Sequence, residues 1–332
     1  MEPRPEGWLD IHGHFYLPRT PSEDEEMIKA LNEAHFIVST APTFDAETVL
    51  AYNDRAEISM QMLSYLPPTT QTLQKANDFG LSLVGKFPSR FGLLAGLPTD
   101  KPQDALEEVR RMRPEGHEAV MRADGFAVTT VRGGIGLAHS SLQPLWEELN
   151  RRKEVIFVHP NAYVKGEDGR PSALIDVAFD TARTITDMIY NRIFLDFPDI
   201  TWVFAHSGGA FPALSGRVTL LGAQPWVRNP SGVTKAEVRE QARRIYLDTA
   251  ATAETGMVPA ANMAGIDHSV YGADCGVPCS TELTMEENRD AVKIIASRLS
   301  GDAEFVGRNG FSLFPAAKAR AMSKFRPDTP RV

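Results

Sequence analysis

Short runs rich in apolar and β-branched residues alternate along the chain with longer segments whose apolar positions recur every three or four residues. This is the rhythm of βα units and a parallel sheet. Eight runs read as core strands: Trp8–His12, Ile58–Leu63, Phe91–Leu97, Phe126–Val131, Val155–His159, Trp202–His206, Ile245–Asp248 and Ser269–Ala273. Thr69–Phe87, Pro102–Arg113, Ser141–Arg152, Ser172–Asn191 and Thr284–Leu299 read as helices between them. Eight such units in 332 residues predict an α/β fold, a (β/α)8 TIM barrel, as one domain over residues 1–332. A ninth apolar run, Phe36–Thr40, exceeds the count. Leu17–Asp45 is therefore expected to be an insertion after the first strand, a small lid or hairpin. Pro160–Pro171 is polar and turn-rich, and follows a strand directly, which places it on the active face of a barrel. Gly133-Gly134-Ile135-Gly136 lacks both the Gly-x-Gly-x-x-Gly order and a Walker lysine, and reads as a flexible loop near the mouth.

The chemistry lies where these strands end. His12 and His14 stand at and just past the end of the first strand, His159 ends the fifth, His206 ends the sixth and Asp274 follows the last. Parallel strands of a barrel share one C-terminal rim, so residues remote in sequence meet there. Alternation along a strand turns positions two apart to the same side, so the His-x-His pair faces the mouth together. Three imidazoles and a carboxylate suit one divalent ion, Zn²⁺, Mn²⁺ or Fe²⁺, with His206 beside it. Taken singly, each residue has an ordinary explanation: a hydrogen-bonded strand-end histidine, or an aspartate capping a turn. Their joint placement on one rim favours the metal reading. His35, His117, His139 and His268 are read as structural or solvated, and Cys275 and Cys279 as small packing residues.

A net charge of -8 argues against nucleic acid or an anionic membrane as the main partner, without excluding an anionic small molecule. Only two cysteines, close together in Cys275-Gly-Val-Pro-Cys279, point to a reducing cytoplasm. The opening MEPRPEGWLDIHGHFYLP has no apolar signal region, and no apolar run is long enough to span a bilayer.

Together these motifs resemble the amidohydrolase-related decarboxylases, whose prototype is aminocarboxymuconate semialdehyde decarboxylase. The residues that carry the resemblance are Asp10-Ile-His12-Gly-His14, Phe157-Val-His159-Pro160, His206-Ser-Gly-Gly-Ala-Phe-Pro212 with Arg217 beyond it, and Gly272-Ala-Asp274. Arg90–Pro98 and Asn309–Pro315 also look like family segments, so the likeness spans nearly the whole chain. Its opening, Gly7-Trp-Leu-Asp-Ile-His-Gly-His-Phe15, is similar to fungal-type 6-methylsalicylate decarboxylases. The resemblance implies His12, His14, His159 and Asp274 as ligands of Zn²⁺ or Mn²⁺, with no organic cofactor. It implies catalytic roles for Asp274 and His206, and substrate contacts from Phe15 and Arg217. Arg217 matches an arginine that crosses to a neighbouring subunit, which implies a homodimer. Two departures bear on the pocket. Arg55 is the arginine found where the prototype has several, and Cys275–Cys279 replaces an aromatic-proline stretch.

The function expected from this is metal-dependent, non-oxidative loss of CO₂ from a small hydroxylated aromatic acid, by ring-carbon protonation. One alternative is a metal-dependent hydrolase, a lactonase or amidohydrolase, on the same scaffold. The other is a catalytically inert binding barrel, against which the retention of every ligand type argues.

Overall fold

The computed structural model describes residues 7–116 and 122–323. Eight parallel strands follow one another around a barrel in sequence order. They are β1 (Trp8–His14), β2 (Ile58–Ser64), β3 (Phe91–Gly96), β4 (Gly125–Thr129), β5 (Val155–His159), β6 (Thr201–Phe204), β7 (Tyr246–Asp248) and β8 (Ser269–Val270). The principal helices are α1 (Pro21–Glu33), α2 (Ala46–Arg55), α3 (Thr70–Lys86), α4 (Pro102–Met112), α5 (Gln143–Arg152), α6 (Asp176–Tyr190), α7 (Phe211–Leu221), α8 (Lys235–Ala242), α9 (Ala253–Ala264), α10 (Glu282–Ser300) and α11 (Pro315–Ser323). The TIM barrel read from the sequence is the fold observed.

Side-chain alternation divides the core into two layers. Val155 and Phe157 join Met60, Met62, Leu94, Ala127, Val203 and Val270 in the barrel interior, and Phe311 and Phe314 pack on that cluster from the C-terminal segment. Ile156 and Val158 turn the other way, into the layer between sheet and helices. The helices meet that layer at helical spacing: α3 buries Leu73, Ala76, Asn77, Gly80, Leu83 and Val84.

The circle closes between β8 and β1. The strand after Val270 leaves β7 and turns to β1, where Ile11 N–H donates to Tyr271 (3.0 Å), His14 N–H to Cys275 (2.8 Å) and Cys275 N–H to the His12 carbonyl (3.3 Å). Asp10 staples this seam. Its buried carboxylate accepts from the His12 and Ala273 backbone amides, both at 3.0 Å, and from the Gln61 side chain at 2.6 Å. Burial pushes that carboxyl up to about 6, while the hydrogen bond from Gln61 and those from the two amides pull it down.

Several expected details change. The insertion is a helix, α1, and not a hairpin. Thr20 caps it with a reciprocal bond to Glu23, a Ser/Thr-x-x-Glu signal present in the sequence. Phe36–Thr40 forms no strand: Phe36 folds back against Leu31 and Ala34, while Ile37 is fully exposed. Gly133–Gly136 belongs to a small two-stranded hairpin. Val131–Arg132 pairs with Ile135–Gly136 across a turn whose two glycines both have positive φ, and buried Arg132 ties it to Asp100 and to the Pro67 and Pro68 carbonyls. The segment expected as one helix over Ser172–Asn191 begins with a short 3₁₀ turn, Ser172–Leu174, before α6. β8 ends at Val270 because the residues beyond it pair with β1.

Removing the staple tests the seam. Asp10→Ala strands two buried amides and the Gln61 side chain, so urea unfolding should show a loss of about 3 kcal/mol. A loss under about 1 kcal/mol contradicts the role given to Asp10.

Candidate metal centre

Strand ends deliver the polar residues to one place. A shift in the β1–β2 register between Asp10 and Gly13 lets Ile11 join the barrel interior while His12, next to it, reaches the mouth. Gly272 makes room there. A Cβ on it would lie 2.9 Å from the His12 Cβ and 3.0 Å from the Asp248 Cγ. His159 is the last residue of β5, and His206 follows β6 in a turn where His206, Ser207, Gly208 and Gly209 all have positive φ. Asp274 also sits in the left-handed region, with φ of 58°. Non-glycine residues held there carry strain, which concentrates at functional sites.

His12 Nε2 lies 3.0 Å from His14 Nε2 and 3.2 Å from Asp274 Oδ1, and His14 Nε2 lies 3.1 Å from the same oxygen. Ligating atoms of His12, His14, His159 and Asp274 all fall within 4.8 Å of one another. His206 stands beside them, with Nε2 3.5 Å from Asp274 Oδ2. The structure thus gathers the four expected ligands and brings His206 to the carboxylate.

The hydrogen bonds settle which nitrogens face inward. His12 Nδ1–H donates to Asp248 at 2.7 Å, and His159 Nδ1–H donates to the Pro160 carbonyl at 2.6 Å. Both therefore turn Nε2 toward the cluster. His159 Nε2 is buried and has no hydrogen-bond partner among the described residues. An orphaned imidazole nitrogen beside two more and a carboxylate oxygen is a donor set that fits a divalent cation.

The electrostatics agree. Burial disfavours charge on His12, yet the Asp274 and Asp248 carboxylates overcome it and lift the imidazole up to about 10. Burial would also raise Asp274, but the charge on His12 and hydrogen bonds from His12, His14 and His206 hold it well below the usual carboxylate range. Burial and the neighbouring imidazoles keep His159 neutral, and burial lowers His14. The two carboxylates thus favour positive charge on His12, while burial disfavours it on His14 and His159.

Two expected residues do not join the group. Phe15 is 1 % exposed, in the outer core against Phe44, Tyr65 and Phe79, so its ring has no face free for a substrate. Arg217 is exposed on α7 and contacts none of the ligands. Of the other histidines, His139 accepts from the Ser141 amide ahead of α5 and His268 packs on Tyr246. His35 reaches the Arg170 carbonyl, and His117 lies outside the described residues. Cys275 is buried and Cys279 exposed, and both are free thiols.

Sequence reasoning missed three residues. Asp248 ends β7, so the strand-end rule that found the histidines applies to it too. Tyr16, two residues past His14, meets Tyr163 of the Pro160–Pro171 loop through hydroxyls 2.8 Å apart. Burial chiefly raises both phenols, and the Asp274 charge adds to the effect, which places the pair near the carboxylate. Phe36 of the insertion packs on Tyr163, so α1 and the loop after β5 support each other at the mouth.

A family model described as amidohydrolase matches residues 9–299. The chain is 29% identical over 295 residues to "Decarboxylase macB" of Penicillium terrestre, covering 80% of this chain and 83% of that protein. It is 25% identical over 285 residues to the 6-methylsalicylic acid decarboxylase of Penicillium expansum, covering 80% and 84%. Among solved structures, a 2,6-dihydroxybenzoate decarboxylase complexed with 2,6-dihydroxybenzoate superposes with a TM-score of 0.76 at 19% identity, over 93% of this chain and 99% of that one. A dihydroxybenzoic acid decarboxylase from Polaromonas sp. JS666, with bound manganese and 2-nitroresorcinol, gives 0.72 at 18% identity, over 95% and 99%. Rim geometry, ligand set and matched length lead to one conclusion: the chain belongs to the amidohydrolase family.

Proposed function

We propose that this protein is a metal-dependent, non-oxidative decarboxylase of a small hydroxylated aromatic acid, of the 6-methylsalicylate kind. The observation that carries the reading is the convergence of His12, His14, His159 and Asp274 with His206 at the second oxygen of Asp274. The decarboxylase names of its relatives support it. Those four residues would hold a divalent ion, Mn²⁺ or Zn²⁺, which would supply positive charge to stabilise the anionic substrate.

An aryl carboxylate loses CO₂ with difficulty, because the departing electron pair would occupy an in-plane orbital. A proton placed on the ring carbon that bears the carboxylate makes that carbon tetrahedral. Its C–C bond then breaks, CO₂ leaves and aromaticity returns. An ortho hydroxyl raises the basicity of that carbon. His206 brings the proton for this step, oriented by the Asp274 carboxylate 3.5 Å from its Nε2. Asp274 Oδ1 is engaged by His12 and His14, while Oδ2 faces His206. The His206 side chain is 14% exposed, so it can exchange its proton with solvent.

Leu214 and Leu220 are exposed with Arg217 on α7, apolar positions that suit a second copy of the chain. We therefore read the protein as a homodimer in which Arg217 reaches the partner's substrate. Two free thiols suit the cytoplasm, and no described helix is long and apolar enough to cross a membrane.

Incubation with a panel of hydroxybenzoates that includes 6-methylsalicylate should release CO₂ and the matching phenol. In D₂O the phenol should carry one deuterium at the vacated carbon. Lactone or amide hydrolysis with no CO₂ release contradicts the proposal. His206→Asn should lower kcat by about 10²- to 10⁴-fold with metal content unchanged, and a change under about threefold removes His206 from the proton step. Metal binding must also displace a proton from His12, whose folded value is raised from 6.5 to about 10. The stability that this proton gives the metal-free protein is present below pH 6.5 and lost as pH rises through about 10. Apparent Mn²⁺ affinity should accordingly rise about tenfold per pH unit between pH 7 and 9, read in a metal-buffered titration. Affinity independent of pH contradicts this charge assignment.

A further inference from the structure

We propose that Asp248 is the positioning residue that keeps His12 turned toward the metal and holds the His206 turn in register with it. The inference rests on the metal reading above and concerns a residue that ligates nothing. Asp248 is 0% exposed at the end of β7, and its two oxygens face different parts of the centre. Oδ2 accepts from His12 Nδ1–H at 2.7 Å. Oδ1 accepts from the backbone amides of His206 at 2.7 Å and Ala250 at 3.0 Å. The Asp248 carbonyl also accepts from the Ser207 hydroxyl, at 3.2 Å, and that hydroxyl meets Thr252 at 2.7 Å. The turn held in this way contains two non-glycine residues in the left-handed region, His206 and Ser207. One buried carboxylate thus fixes the tautomer of a ligand and the backbone of the histidine proposed to move the proton.

The chemistry requires a carboxylate here, because every group facing it is a donor. An asparagine of the same shape satisfies one side only. With its carbonyl toward His12, its NH₂ confronts the two backbone amides. With its carbonyl toward those amides, its NH₂ faces His12 Nδ1, which accepts only if the imidazole proton moves to Nε2. That proton would then occupy the nitrogen that faces the cation. Either arrangement costs something: the first disturbs the His206 turn, the second removes a ligand lone pair.

The test is Mn²⁺ titration of the metal-depleted full-length protein. Wild type is compared with Asp248→Asn and with Asp124→Asn. Asp124 is another buried carboxylate, at the opposite end of the barrel, where it binds Arg320 and the Leu93 amide. Asp248→Asn should weaken Mn²⁺ binding by about 10- to 100-fold and lower kcat at saturating Mn²⁺. Asp124→Asn should lower Tm while leaving Mn²⁺ affinity within about twofold. Unchanged affinity in Asp248→Asn overturns the proposal, as does an equal loss in Asp124→Asn. Failure of the wild type to bind Mn²⁺ sinks the metal reading instead. If Asp248→Asn does not fold, the wild type still decides. Nitrogen-15 spectra of the Zn²⁺-loaded protein should show His12 protonated at Nδ1, and a spectrum with Nδ1 unprotonated overturns the proposal.

Discussion

Two buried carboxylates, Asp248 and Asp274, face one imidazole, His12, from opposite sides, and the mouth of the barrel is organised around the positive charge they call for. Isolated charge in a protein interior is costly unless it is paired and hydrogen-bonded. Here the pairing is incomplete by design of the donor set. His14 and His159 are held neutral, and His159 presents a bare nitrogen to the cluster. A proton on His12 answers the field in the metal-free protein, and a divalent cation engaging all four donors would answer it more fully. Metal affinity, proton balance and the placement of His206 are therefore aspects of a single electrostatic arrangement.

That arrangement carries strain, and the fold holds it in place. Left-handed backbone at His206, Ser207 and Asp274 costs on the order of 1–3 kcal/mol at each non-glycine position. The restraint comes from buried carboxylates that accept backbone amides. Asp248 holds the His206 amide, and Asp10 holds those of His12 and Ala273 on either side of the barrel seam. Since His12 and Asp274 lie on opposite sides of that seam, closing the barrel and assembling the metal centre are the same event. The interior cluster behind them, with Phe157 packed 4.9 Å from the His12 ring, gives the ligands a rigid floor.

Much of this could be read from residues alone, for physical reasons that also explain the failures. Period-two runs ending in His or Asp locate a barrel rim, because parallel strands all end on one side. Hence His12, His14, His159, His206 and Asp274 were legible. Asp248 obeyed the same rule but resembled any polar strand terminus, since nothing local reveals a hydrogen bond to a histidine more than 200 residues away. Phe15 follows His14 directly, yet its ring turns outward into the core, and adjacency in sequence says little about direction where a strand is irregular. Phe36–Thr40 has strand-like composition but no partner strand to pair with, and α1, announced by its own capping residues, takes the insertion instead.

The most direct measurement of the central claim is X-ray diffraction from crystals soaked in Mn²⁺, recorded where manganese scatters anomalously. One strong peak is expected at the barrel mouth, within coordination distance of His12 Nε2, His14 Nε2, His159 Nε2 and Asp274, with His12 Nδ1 still on Asp248. A peak held by other residues, or no peak at a manganese concentration that supports activity, would contradict it.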